Sequence, residues 1–142
     1  MKILKRKYQN LADQPSFQNL KKHTEILATW DDHDYGRNDA GNEYPHKEAS
    51  KQVFLEFFEE PKESSRYQHQ GIYHSVTRQV GEKIVQIILL DGRSFRGSIP
   101  RNPQRGKDKH SFYPLDYLPT KDTSKSMLGE EQWAWLEQEL IK

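Results

Sequence analysis

The stretch Ala28-Thr29-Trp30-Asp31-Asp32-His33-Asp34-Tyr35-Gly36-Arg37-Asn38-Asp39 decides how the rest of the chain is read. Three carboxylates and an imidazole fill positions 31–34, directly after the apolar run Ile26-Leu27-Ala28. A strand over residues 25–30 is expected to deliver them into a loop at its carboxyl end, where α/β sheets build their sites. That much charge on adjacent residues repels itself and resists burial. Compensation must come either from water or from a bound cation.

Outward from this stretch, the sequence orders itself around proline and glycine. Residues 1–24 read as a basic helical lead-in, with Ser16 a cap for a short helix through Phe17, Leu20 and Lys21. The acidic loop runs to about Tyr44, turning at Gly36 and Gly41. After Pro45, Ala49, Val53, Phe54, Phe57 and Phe58 recur at helical spacing until Pro61 ends the run. Lys47, Glu48, Lys51 and Glu59 are expected on that helix's wet face. A polar linker, 62–70, leads to strand candidates 71–77 and 83–90, joined as a hairpin through Val80-Gly81-Glu82. The second is almost continuously apolar and β-branched, which predicts cover on both faces. From Gly92 to Ser126 no periodicity is visible, and four prolines interrupt it, as in a binding or active-site loop. The last helix, Leu128–Leu140, is expected to pack through Trp133, Leu136 and Leu140.

Composition sets bounds on function. The 142 residues suit one domain. Only 33% are apolar and 30% are charged, a solvated composition or one whose remaining core lies outside this sequence. Lys plus Arg (22) nearly balance Asp plus Glu (21), so no basic excess marks a nucleic-acid binder. Arg101, Arg105, Lys107 and Lys109 read as a solvated loop rather than a patch. The absence of cysteine excludes disulfides and thiolate metal sites. The basic amino terminus has no apolar h-region, and no run reaches the roughly 18 apolar residues of a membrane span. A soluble chain that stays where it was made is therefore expected, although the compartment itself is not fixed.

Three chemistries compete for the acidic run. Asp and Asn populate turns, so a plain solvated loop is one. A calcium loop counted from Asp32 places Asp34 third and Glu43 twelfth, but Arg37 stands sixth, where such a loop needs glycine. That reading is rejected. The third is a catalytic cation site. Asp32 is a hard oxygen ligand, and His33 beside it is free to donate a proton to a leaving oxygen. Arg93, after the second strand, can face the same pocket and grip phosphate, or else pair with Asp91. His46 and His74 are more simply a helix start and a strand face.

The run Thr29-Trp30-Asp31-Asp32-His33-Asp34-Tyr35-Gly36-Arg37-Asn38-Asp39-Ala40-Gly41 resembles the signature of the PhoD-like (alkaline phosphatase D) branch of the metallophosphoesterases. Lys47–Phe58, Gly71-Ile72-Tyr73, Leu89-Leu90-Asp91-Gly92-Arg93 and Met127–Leu136 resemble the family's later elements in order and spacing, from about Tyr8 onward. The resemblance implies a mixed β-sheet flanked by helices, an α/β class. It implies one partial domain over 1–142, with 1–24 as lead-in and 25–142 as core region. It also implies metal-dependent hydrolysis of phosphate mono- or diesters with calcium, iron or manganese. Asp32 and Asp31 are the implied ligands, and His33 the acid or phosphate contact. Asp34 would orient His33, Arg93 joins the catalytic set, and Arg37 and Asn38 support the site. The family's upstream Gly-Asp-x-x-Tyr and downstream Gly-x-His motifs are absent here, and Gly92 replaces a usual Thr. A complementary polypeptide is one implied source of those motifs. The rival reading is a non-catalytic fragment or a partner-binding remnant. The family is often exported or periplasmic.

Overall fold

The computed structural model describes residues 1–103 and 116–142. Arg105, Lys107, Lys109, His110 and Pro114 lie outside the described residues. Helices α1 (Lys2–Ala12) and α2 (Pro15–His23) form the lead-in. Ser16 does not cap α2: Gln14 is the N-cap and Pro15 takes the first turn, where its fixed φ and missing N–H cost nothing. Lys21, Lys22 and His23 close the last turn, complementing the helix dipole. Aromatic rings dock this pair on α4 (Lys47–Phe57). Tyr8 lies 4.5 Å from Phe57 and edge-on to Phe54 and Phe58, and Phe17 stacks on Phe57 at 5.8 Å.

Residues 25–30, expected as a strand, join no sheet among the described residues. Side chains replace the ladder. Ala28 O accepts from Arg66 Nη2 at 3.0 Å, and the Thr29 hydroxyl donates to Leu90 O at 2.8 Å. Trp30 then enters the core with Tyr35, Ala40, Phe54, Leu55 and Ile72. α4 forms where the aromatic spacing predicts, and Val53, Phe54 and Leu55 are buried on it. Lys51, expected to be wet, is also buried, its ammonium bonded to His69 O. A lysine's four-carbon stem tolerates such burial while its head reaches a carbonyl.

The hairpin is β1 (His74–Val80) and β2 (Lys83–Leu89), antiparallel in register His74↔Leu89 through Val80↔Lys83. Gly81, at φ +60°, makes the tight turn. The expectation that β2 is covered on both faces fails. Lys83–Gln86 are exposed, with Ile84 at 73%, and only Ile87–Leu89 are half-buried. A β-branched run favours extended backbone whether or not a second layer covers it.

Helix α5 (Gly129–Leu140) half-buries Leu136 as expected but not Trp133 or Leu140. Gln132 and Glu139 are buried, and Trp135 lies 4.7 Å from Tyr73, whereas Trp133 and Leu140 are 51% and 68% exposed. The inward residues repeat at i, i+3, i+7 from Gln132. Two of the three are polar, held by partners that an apolar pattern does not reveal. The α/β class stands: five α-helices and one antiparallel strand pair among the described residues.

Candidate functional site

The acidic run is short because its ends are pinned. Trp30 and Tyr35 are both buried, their rings 5.0 Å apart and T-shaped, and Tyr35 donates its hydroxyl to Gly41 O at 2.8 Å. Burial pushes the Tyr35 phenol up, with Asp91, Glu43 and Glu48 adding to the rise. The four residues between the anchors must turn within that span, and they begin helix α3 (Asp32–Tyr35). Asp31 is its N-cap, and both Asp34 oxygens accept from the Asp31 N–H at 3.0 and 3.1 Å, a capping box. Asp34 therefore contacts loop backbone. The carboxylate nearest His33 is instead Asp32, with Nε2 3.6 Å from Oδ2.

Charge on the loop is balanced from 61 residues further along the chain. Arg93 donates from Nε and Nη2 to Asp31 Oδ1 at 3.0 and 2.5 Å, and from Nη1 to Asp32 Oδ1 at 3.2 Å. Asp32 Oδ1 also accepts from Asp39 N–H at 2.6 Å. The Arg93 side chain is 10% exposed and its partners are unequal: Asp32 is 22% exposed, Asp31 85%. His33, at 74%, reaches solvent. Neither water nor a cation alone was the answer that the sequence required. An arginine supplies a large part of it.

Arg93 is aimed by Asp91, which does not pair with its guanidinium. Asp91 is fully buried. Its Oδ1 accepts from Trp30 Nε1 and from the N–H groups of Arg93 and Ser94, each at 2.9 Å. Its Oδ2 accepts from Ile72 N–H at 3.0 Å and Ser94 Oγ at 2.6 Å. Gln132 completes the clamp, accepting from Asp91 N–H at 2.8 Å and donating to Asp91 O at 2.9 Å. Gly71, at φ +78°, passes so close that a Cβ would sit 2.6 Å from Asp91 Oδ2.

The structure brings Asp31, Asp32 and Arg93 into contact, with His33 beside Asp32. Arg37 and Asn38 lie to one side, lining a cavity of about 320 Å³ with Asp39, Glu43 and Arg101. Asn38 and the Tyr117 hydroxyl both bond Asp39 Oδ2. His46 is exposed beside Tyr44, and His74 is half-buried at the start of β1. Neither bonds to the loop. Arg66 was missed inside its polar linker. It is 2% exposed and ties Ile72 O, Ala28 O and Glu60 together. No local signal separates it from the solvated residues around it.

As a cation site the loop fits only part of a donor set. Asp31 and Asp32 offer the hard oxygens such an ion takes, yet no cluster of three or more potential ligands occurs among the described residues. A larger cavity, about 760 Å³, opens beside His33 and Asp34 toward α1.

The model of one protein family, described as PhoD-like phosphatase, matches residues 4–142. No curated protein matches the chain, and no solved structure does.

Proposed function

Since this chain belongs to the PhoD-like phosphatase family, we propose that its acidic loop is the centre of a phosphoric ester hydrolase site. The observation that carries this reading is the convergence of Arg93 on Asp31 and Asp32, with His33 beside them lining a cavity. Asp31 and Asp32 are the residues that would hold a cation, calcium, iron or manganese, with water, substrate or further donors completing its shell. When bound, such an ion draws charge from the phosphoryl oxygens and makes water a stronger nucleophile.

The chain's own residues have definable tasks. Arg93 presents a planar set of donors that matches a phosphoryl group as well as it matches two carboxylates. It can exchange one for the other as substrate arrives. His33 is solvent-exposed, with Nε2 3.6 Å from Asp32 Oδ2. In the reaction, water oxygen bonds to phosphorus and the ester P–O bond breaks. Its electron pair leaves with the organic oxygen, which takes a proton from His33. The attacking water restores that proton through solvent. Asp34 holds the loop in shape through the Asp31 N–H rather than through His33.

A second reading is a non-catalytic remnant, favoured by the guanidinium already seated on both carboxylates. The two separate on one assay, 4-nitrophenyl phosphate with added calcium, iron or manganese. Turnover that falls by about 10²–10⁴ in His33→Ala supports the hydrolase. No turnover together with no metal uptake by the wild-type chain supports the remnant.

A further inference from the structure

The cavity of about 760 Å³ lies between α1 and the acidic loop, and beyond His33 the proposed chemistry gives its lining no task. Ile3, Leu4 and Leu11 of α1 line it, together with Tyr44, His33 and Asp34. Two further residues on its lining, Tyr8 and Ser50, carry buried hydroxyl oxygens with no hydrogen-bond partner among the described residues. Ser50 is completely buried. A mainly apolar space of this size, with a few polar groups at fixed points, is what a small organic molecule occupies. A buried hydroxyl without a partner costs free energy that an incoming acceptor or an ordered water recovers.

We propose that this groove is the leaving-group subsite: it takes the aryl or similarly apolar organic part of a phosphate ester, with the ester oxygen beside His33. The proposal rests on the hydrolase reading for its placement of phosphorus, but the groove can be tested without turnover. His33 is the geometric link, because it lies within reach of Asp32 on one side and lines the groove on the other. A polar leaving group would desolvate against Ile3 and Leu11 with little in return. An aromatic one covers apolar surface that is otherwise wet: Ile3 is 68% and Leu11 39% exposed.

The experiment compares 1-naphthyl phosphate with 2-hydroxyethyl phosphate, and separately titrates 1-naphthylmethylphosphonate, which is not hydrolysed, by its fluorescence. KM for the naphthyl ester is expected about tenfold below that for the hydroxyethyl ester. Leu11→Asp and Ile3→Asp each raise the naphthyl KM and weaken phosphonate binding, about fivefold or more. Leu20→Asp, on the exposed side of α2 and outside the groove, changes neither. If the phosphonate binds and responds to both α1 variants without any turnover, the groove stands and the hydrolase reading fails. Turnover with equal KM for the two esters, and phosphonate binding indifferent to Leu11→Asp and Ile3→Asp, overturns the groove alone. Absence of both turnover and binding overturns both.

Discussion

Asp91 and the Asp31–Asp32 pair are the same chemistry placed at two ends of one arginine. The backbone N–H of Arg93 bonds Asp91, and its guanidinium bonds the other two. Asp91 has no exposed surface and five donors, so its lone pairs are committed to the fold. Asp31 is 85% exposed and shares one guanidinium with its neighbour. The difference teaches how to tell a structural carboxylate from an available one. In the interior, protein donors must replace water completely. At the surface, a single cation suffices and can be exchanged.

The sharpest way to break this contrast is Asp91→Ala. It strands five donors, two of them from Ser94, and is expected to cost about 3–5 kcal/mol, a large fraction of a domain's stability. Urea unfolding measures it, and a midpoint close to wild type would mean that Asp91 is no hub. Arg93→Met acts at the other end. Losing its pairs with exposed Asp31 and partly buried Asp32 should cost less, about 1–3 kcal/mol. Manganese binding to the loop, followed calorimetrically, should tighten because the competing charge has gone; weaker binding would count against Asp31 and Asp32 as ligands.

A third comparison uses pH. Burial, and then the nearby Arg66, hold the His74 imidazole below its usual value, so the folded protein disfavours its proton. The unfolded chain therefore binds more protons near neutrality, and stability rises with pH across that window. It is complete above about pH 6.5 and declines as pH falls from there toward the folded value. His74→Leu should flatten this slope in urea midpoints taken from pH 7.5 to 5, and an unchanged slope would show that another group carries it. The smallest effect belongs to the Glu25–Arg78 ion pair, which is open to water. Glu25→Ala should leave the urea midpoint unchanged, and a clear drop would show that exposed pairs matter more here than Asp91's example allows.

The local patterns were legible where apolar periodicity carried them. α4 stands where Val53, Phe54 and Phe57 recur, and the hairpin turns at Gly81. Readings failed where polar residues did the packing. α5 turns Gln132 and Glu139 inward, Lys51 and Arg66 are buried, and residues 25–30 use side chains instead of a strand partner. Hydrophobic pattern encodes which residues avoid water, not which polar groups find partners far along the chain.

By itself the sequence determined the identity of the loop. Trp30, Asp31, Asp32, His33 and Tyr35 stand in an order specific enough to imply the family, because that chemistry is local and contiguous. Only the tertiary structure decided what the loop's charges do. Arg93 comes from 62 positions beyond Asp31, Asp91 is saturated by Trp30, Ile72 and Ser94, and α1 walls a cavity beside His33. Electrostatic balance is a matter of distance in space, and the chain order of residues does not contain it.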